Sequence, residues 1–132
     1  IRSKAGRSKA GNVVLLGYQP NHVLLDHLQR AKAFIFAAEE DFGLLPLEAQ
    51  ACGTPVIAYG KGGALETVRG LDEKNPTGVF FAKQTTTAIV DAIKQFEQVQ
   101  NQLTVDNCTM NAARFAPERF RKEFMAFVNG KV

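Results

Sequence analysis

Cysteine and histidine are scarce in this 132-residue sequence, with two of each, and no second Cys or His is spaced from Cys52 or Cys108 for metal ligation. Two buried free thiols in a reducing compartment are therefore expected rather than a disulfide. His22 and His27 lie five apart, not the three or four that one helix face needs, so no metal site is expected. Long apolar runs are also lacking. No stretch of about 18 apolar residues could span a bilayer, and no n-region with an h-region marks a secretory signal, so a cytoplasmic location is the default. The sequence contains no Gly-x4-Gly-Lys-Ser/Thr loop, which excludes a P-loop nucleotidase. Asp41-Phe42-Gly43 spells the magnesium tripeptide of protein kinases, yet the catalytic-loop His-Arg-Asp and the strand lysine of that class are missing.

Basic charge is lacking outside the head of the chain. The formal charge is +3, but Arg2, Lys4, Arg7 and Lys9 carry four positives in the first eleven residues, leaving 12 basic against 13 acidic residues beyond them. A body of net charge −1 with no aromatics interleaved among the basic residues of its head is not a nucleic-acid binder. The head repeats Arg-Ser-Lys-Ala-Gly at 2–6 and 7–11, too short for a solenoid. Residues 1–11 read as a basic arm or the remnant of an upstream helix, and 12–132 as one domain. With 45% apolar and 22% charged residues the composition is that of an ordinary soluble domain.

Periodicity then orders the elements. Residues 13–16 read as a short strand ended by Gly17, and Asn21 as the N-cap of a helix over 22–32 with Val23, Leu24, Leu25, Leu28 and Ala31 on its apolar face. A strand over 33–38 completes one βαβ unit, so the Tyr18-Gln19 loop is expected at the carboxyl edge of the sheet, where doubly wound folds bind ligands. Strands follow at 55–59 and 78–81. Gly60 to Leu65 nearly spells a dinucleotide fingerprint, but Leu65 occupies the third glycine position; the glycines read equally as a tight connection or as a close approach to ligand. Thr85, Thr86 and Thr87 offer a cap for a helix over 87–98 with Ile89, Ile93 and Phe96 on one face. A last helical stretch over 106–128 is interrupted near Pro117 and carries Phe115, Phe120, Phe124 and Phe127. The fold class is α/β, a Rossmann-like three-layer domain with about four parallel strands.

The segment from Glu40 to Glu48 concentrates the chemistry. An apolar run ends at Ala38, and an Ala/Leu-rich helix is expected over 46–52 with Pro46 at its first position, which puts the cap near Leu45. Gly43, Leu44 and Leu45 have no side chain that caps. The first helical N–H groups, with the positive end of the macrodipole, then form an anion site that fits a phosphate. Glu48, in the first turn, can accept from two neighbouring hydroxyls of a sugar diol, and Glu40 can do the same for a second ring. Read on spacing alone, the favoured alternative is that Glu48 is a dipole-complementing surface residue and Glu40 one of a solvated trio with Glu39 and Asp41.

The sequence resembles the C-terminal, donor-binding domain of the retaining glycosyltransferases of the GT-B fold. Glu40 and Glu48 match that group's E-x7-E motif. Phe42-Gly43-Leu44, Glu48-Ala49, Ala51, Gly53, Pro55-Val56-Ile57, Gly62-Gly63 and Glu66 match the run around it. The likeness extends loosely from residue 12 to the Phe115–Phe120 segment. Asp41 stands where the family commonly has glycine and Pro117 where it has tryptophan. The resemblance implies transfer of a hexose from a nucleotide diphosphate sugar, with GDP-mannose or UDP-glucose as donor, retention at the anomeric carbon and no metal or cofactor. It makes Glu40 the catalytic residue that positions the hexose. Phe42, Gly43, Leu44, Leu45 and Glu48 become donor-binding residues, with Tyr18 and Gln19 beside the nucleobase. Family members carry a first βα unit with an arginine and a lysine that grip the diphosphate, and an N-terminal acceptor-binding domain. Neither is in this sequence, so the isolated chain is expected to be inactive. Peripheral membrane association of the full protein is compatible with this reading, whose alternative is a non-catalytic nucleotide-binding or interaction module.

Overall fold

All four residues of β2 (Val56–Tyr59) are buried, which is what a central strand covered on both faces requires. The computed structural model describes residues 11–41 and 44–115. Along the chain come α1 (Asn21–Arg30), β1 (Phe34–Phe36), α2 (Leu44–Ala51), β2, α3 (Ala64–Thr67), β3 (Gly78–Phe81), α4 (Thr86–Val99), a 3-10 turn (Gln100–Gln102) and α5 (Val105–Ala113). The sheet is parallel in the order β1-β2-β3, with Phe34 opposite Val56 and Val56 opposite Gly78. The domain is a Rossmann-like α/β fold.

Alternation along β2 divides the core between the two sheet faces. Val56 and Ala58 pack with Leu28, Phe36, Ala49, Ala64 and Val68 under α1, α2 and α3. Ile57 and Tyr59 pack with Val79, Phe81, Ala92, Phe96 and Leu103 under α4. α5 lies on α2, burying Cys108 and Ala112 there.

The expected fourth strand is not present among the described residues. Residues 13–16 form no ladder, and their four apolar side chains are exposed. Among the described residues this segment has no ladder partner in β1, and the βαβ unit expected over 13–38 is not formed. A short strand without a ladder or a covered face has nothing to hold it. Among the described residues β1 thus has no neighbour on its outer edge, and its Ile35 is 45% exposed.

Two boundaries also move. α1 is capped by Pro20 without a side-chain bond, and Asn21 is its first helical residue rather than its cap. α2 starts at Leu44, which makes Pro46 its third residue. Proline is tolerated there because an N–H in the first turn has no intrahelical acceptor. The turn after α2 is closed at Gly53, whose φ is +83°; its N–H reaches Gln50 O at 2.8 Å while Thr54 N–H reaches Ala49 O at 2.9 Å. The Thr54 hydroxyl donates to Leu28 O, tying α1 to this corner. α4 is capped as read, by Thr85, whose Oγ1 accepts from Ala88 N at 3.1 Å. α5 stops at Ala113, with Arg114 and Phe115 in a turn after it; residues 116–128 of the expected stretch, with Phe120, Phe124 and Phe127, lie outside the described residues.

Candidate functional site

Parallel strands send all their following loops to one edge of the sheet, and here those loops are bonded to one another. Gly63 N–H donates to Glu40 O at 2.5 Å, Gly60 N–H to Phe81 O at 2.9 Å, and Gln84 Nε2 to Ala37 O at 2.7 Å. The loops after β1, β2 and β3 therefore form one rim. Gly62 is indispensable to it: its φ is +72°, and a Cβ built there would stand 2.5 Å from Glu40 O and 3.2 Å from Glu39 Cγ. At Gly62 the absence of a side chain serves the close packing of this connection on the Glu40 backbone.

Glu40 is thus fixed through its main chain while its side chain is exposed. α2 begins four residues later, and the N–H groups of Leu44 and Leu45, its first two residues, have no acceptor within the helix. Pro46 contributes no donor, so the anion-binding capacity of this helix start rests on Leu44, Leu45 and the residues before them. Phe42 and Gly43 lie outside the described residues. Glu48 is the fifth residue of α2, in its second turn and not its first, and half-buried. With Leu47 and Ala51 it lines a cleft of about 380 Å³ whose other wall is Thr109, Ala112 and Ala113 of α5 and Phe115. Among the described residues, neither the Glu40 nor the Glu48 carboxylate is engaged in an ion pair or side-chain hydrogen bond. Both are available to a ligand's hydroxyls.

Tyr18 and Gln19 are not brought to this rim. Tyr18 is 97% exposed, and Gln19 Nε2 donates to Leu16 O at 2.7 Å. Both line a hollow of about 280 Å³ with Leu16, Gly17, Val23, Leu24 and His27, none of them from the Glu40–Glu48 turn. The expected placement depended on a strand at 13–16 that does not form.

The two thiols are poor nucleophiles. Burial pushes Cys108 up to about 12, and burial, then the Glu48 carboxylate one turn earlier, raises Cys52, which is half-buried rather than buried as expected. Among the described residues no group of three or more His, Cys, Asp and Glu side chains could hold a metal ion, and no helix is long and apolar enough to cross a membrane.

Behind the site is a buried polar cluster that residue spacing did not signal. Asn111 Nδ2 donates to Gln50 Oε1 at 2.6 Å and to Thr67 O at 2.8 Å, and Gln50 Nε2 donates to the same Thr67 carbonyl at 2.8 Å. Arg69 Nε and Arg114 Nε both donate to Asn111 Oδ1, at 3.1 and 2.8 Å. This cluster locks α2, α3 and α5 together. A polar residue at a core position breaks the apolar pattern without naming its partners, so neither Gln50 nor Asn111 stood out.

A parallel sheet with helices on both faces and its strand-end loops gathered into one rim is a domain of the doubly wound α/β class. Residues 4–114 match the glycosyl transferases group 1 family, and the chain belongs to that family. It is 33% identical over 105 residues to the alpha-1,3/1,6-mannosyltransferase ALG2 of Saccharomyces cerevisiae, covering 74% of this chain and 19% of that protein. It is 36% identical over 91 residues to the lipopolysaccharide core biosynthesis mannosyltransferase LpsB of Rhizobium meliloti, covering 67% of this chain and 25% of that protein. A D-inositol 3-phosphate glycosyltransferase of Geodermatophilus obscurus is 49% identical over 53 residues, 38% of this chain and 12% of that protein. The chain spans a quarter or less of the length of these relatives.

Proposed function

We propose that this chain is the nucleotide-sugar-binding part of a hexosyltransferase that acts with retention of anomeric configuration. The observation that carries the proposal is the bond from Gly63 N–H to Glu40 O, with Gly62 packed on the same carbonyl. It fixes the main chain of a residue with an exposed, uncommitted carboxylate at the strand-end rim, four residues before α2, whose first N–H groups have no acceptor within the helix. In this reading the Leu44 and Leu45 amides, continuing from Phe42 and Gly43, receive the donor diphosphate. Glu48 accepts from the ribose diol and Glu40 from the hexose hydroxyls. When an acceptor hydroxyl bonds to the anomeric carbon, the departing diphosphate keeps the electron pair of the broken C–O bond. Amides already directed there stabilise that growing charge without having to reorganise. Two relatives being mannosyltransferases favours mannose as the hexose and GDP-mannose as the donor. Acceptor binding is left to parts of the full protein beyond this chain, and the isolated chain transfers no sugar.

The test is an amide-shift titration of the 132-residue chain with GDP-mannose, UDP-glucose, ADP-glucose and NAD. One nucleotide sugar should shift the Leu44 to Glu48 amides saturably. Glu48→Ala should weaken that binding about tenfold or more, because the diol loses an acceptor that is charged. A response to NAD alone, or a Glu48→Ala variant that binds as the parent does, would overturn the reading.

A further inference from the structure

We propose that Arg69 and Arg114, with Asn75 and Asn107, form a second ligand site, one for a small phosphate-bearing ligand, at the edge of the sheet opposite the Glu40 rim and independent of the donor reading above. Arg69 follows α3 and is tied to the start of β3, since its carbonyl accepts from Thr77 N–H at 2.8 Å and from Gly78 N–H at 3.1 Å. The strand begins there, whereas the rim gathers where strands end. Arg114 is the C-cap of α5. The two arginines line one hollow of about 210 Å³ with Asn75, Asn107, Met110 and Asn111.

A single oxygen brings the two like charges together. Asn111 Nδ2 is held by Gln50 Oε1 and Thr67 O, which turns Oδ1 to the arginines, and both Nε groups donate to it. Two guanidiniums side by side repel each other, and an anion between them replaces that repulsion by two attractions. Among the described residues, no Asp or Glu lines the hollow. The acids of the adjoining loop, Asp72 and Glu73, lie against Gly70 instead. Glu73 Oε2 accepts from Gly70 N–H at 3.1 Å, and Asp72 Oδ1 is 3.1 Å from where a Cβ of that glycine would stand.

Donors remain for such an anion. Arg69 Nη1 makes one long bond, 3.4 Å to Lys74 O, and its Nη2 has no acceptor among the described residues. The Arg114 guanidinium rests 4.9 Å from the centroid of the Phe115 ring, a contact made through the face of the fork, whose N–H groups lie in its plane. A guanidinium meets phosphate oxygens two at a time, which an ammonium does not. Asn107 Nδ2 donates to Pro76 O at 3.1 Å and to Gln102 O at 3.0 Å, so its Oδ1 is left to accept from a hydroxyl of the ligand. Volume sets the size. Pockets for drug-sized ligands hold roughly 300–1,000 Å³, so this smaller hollow suits a phosphate ion or the phosphate monoester of a small polyol rather than a nucleotide sugar.

The experiment titrates the chain with inorganic phosphate and with glycerol 3-phosphate, reading the Nε–H signals of Arg69 and Arg114 and the side-chain amide signals of Asn111 and Gln50. All four should shift saturably in the parent. Arg69→Lys and Arg114→Lys keep the charge but lose the fork, and each should weaken binding about tenfold, while Lys94→Met, on α4, should leave it unchanged. Binding of inorganic phosphate at least as tight as that of glycerol 3-phosphate marks the free ion as the ligand, and tighter binding of glycerol 3-phosphate marks a monoester; either upholds the site. A parent that responds to neither probe would overturn it, and that titration needs no substituted chain to fold. Shifts confined to the Leu44 and Leu45 amides, with both Nε signals still, would place the phosphate at the start of α2 and overturn it as well. So would lysine variants that bind as the parent does, or a loss in Lys94→Met equal to theirs, which would make the effect one of net charge.

Discussion

The glycine at position 62 shows how much of a site can hang on one backbone conformation. A positive φ disfavours any side chain by roughly 1–2 kcal/mol, and here the space for a Cβ is already taken by the Glu40 carbonyl. Gly62→Ala should therefore lower stability by about 1–3 kcal/mol in urea unfolding. It should also shift the Glu40 and Gly63 amides while leaving those of α4 in place. An alanine variant within about 0.5 kcal/mol of the parent, with an unmoved Glu40 amide, would mean that the two loops are not locked together. Gly63 adds nothing comparable, since its φ of −63° is open to any residue.

At the scale of the element, α2 is held from behind by a polar lock rather than by apolar contact alone. Asn111→Ala removes the donor to Gln50 Oε1, in a buried setting, and the acceptor for Arg69 and Arg114, in a part-buried one. We expect a loss of about 2–3 kcal/mol. A double-mutant cycle with Gln50→Ala should return a coupling above about 0.5 kcal/mol; additive losses would show that the two side chains do not act as a unit. This lock also marks the limit of what the sequence displays. β2, β3 and α4 were legible because their signals are local: a continuous apolar run between turn residues, and a 3.6-residue apolar period behind a threonine cap. The Glu40 turn was legible because an apolar run stops just before it and a helix follows. The Gln50–Asn111 bond joins positions 61 apart, and the partner of Gly62 sits on another loop, so no window of sequence contains either. Residues 13–16 misled for the converse reason. Their local pattern is that of a strand, but a strand exists only beside a partner, and the partner is a matter of sheet order.

For the whole molecule, the two core layers share β2, and the rim is assembled from loops that belong to both. Phe96 fills the layer under α4, Leu28 the layer under α1 and α2, and the two are joined through the alternating side chains of the sheet, those of Val56–Tyr59 at its centre. If the layers were separable, Phe96→Ala would melt α4 and leave the Glu40 turn folded. Sheet alternation argues otherwise: loss of Ile57 and Tyr59 packing releases the same backbone that positions Val56 and Ala58. Phe96→Ala and Leu28→Ala should each cost about 2–5 kcal/mol, a large part of the roughly 5–15 kcal/mol typical of a domain. Each should shift one shared transition. Tyr59 is buried in the α4 layer and Tyr18 is exposed, so the near-ultraviolet tyrosine signal follows that layer, while far-ultraviolet circular dichroism follows all helices. Coincident denaturant midpoints by the two signals in both variants are the expected result. A tyrosine transition that precedes the helical one in Phe96→Ala would show a layer that unfolds alone. The Gln84 bond to Ala37 would then be too weak to couple the α4 side of the molecule to the Glu40 turn.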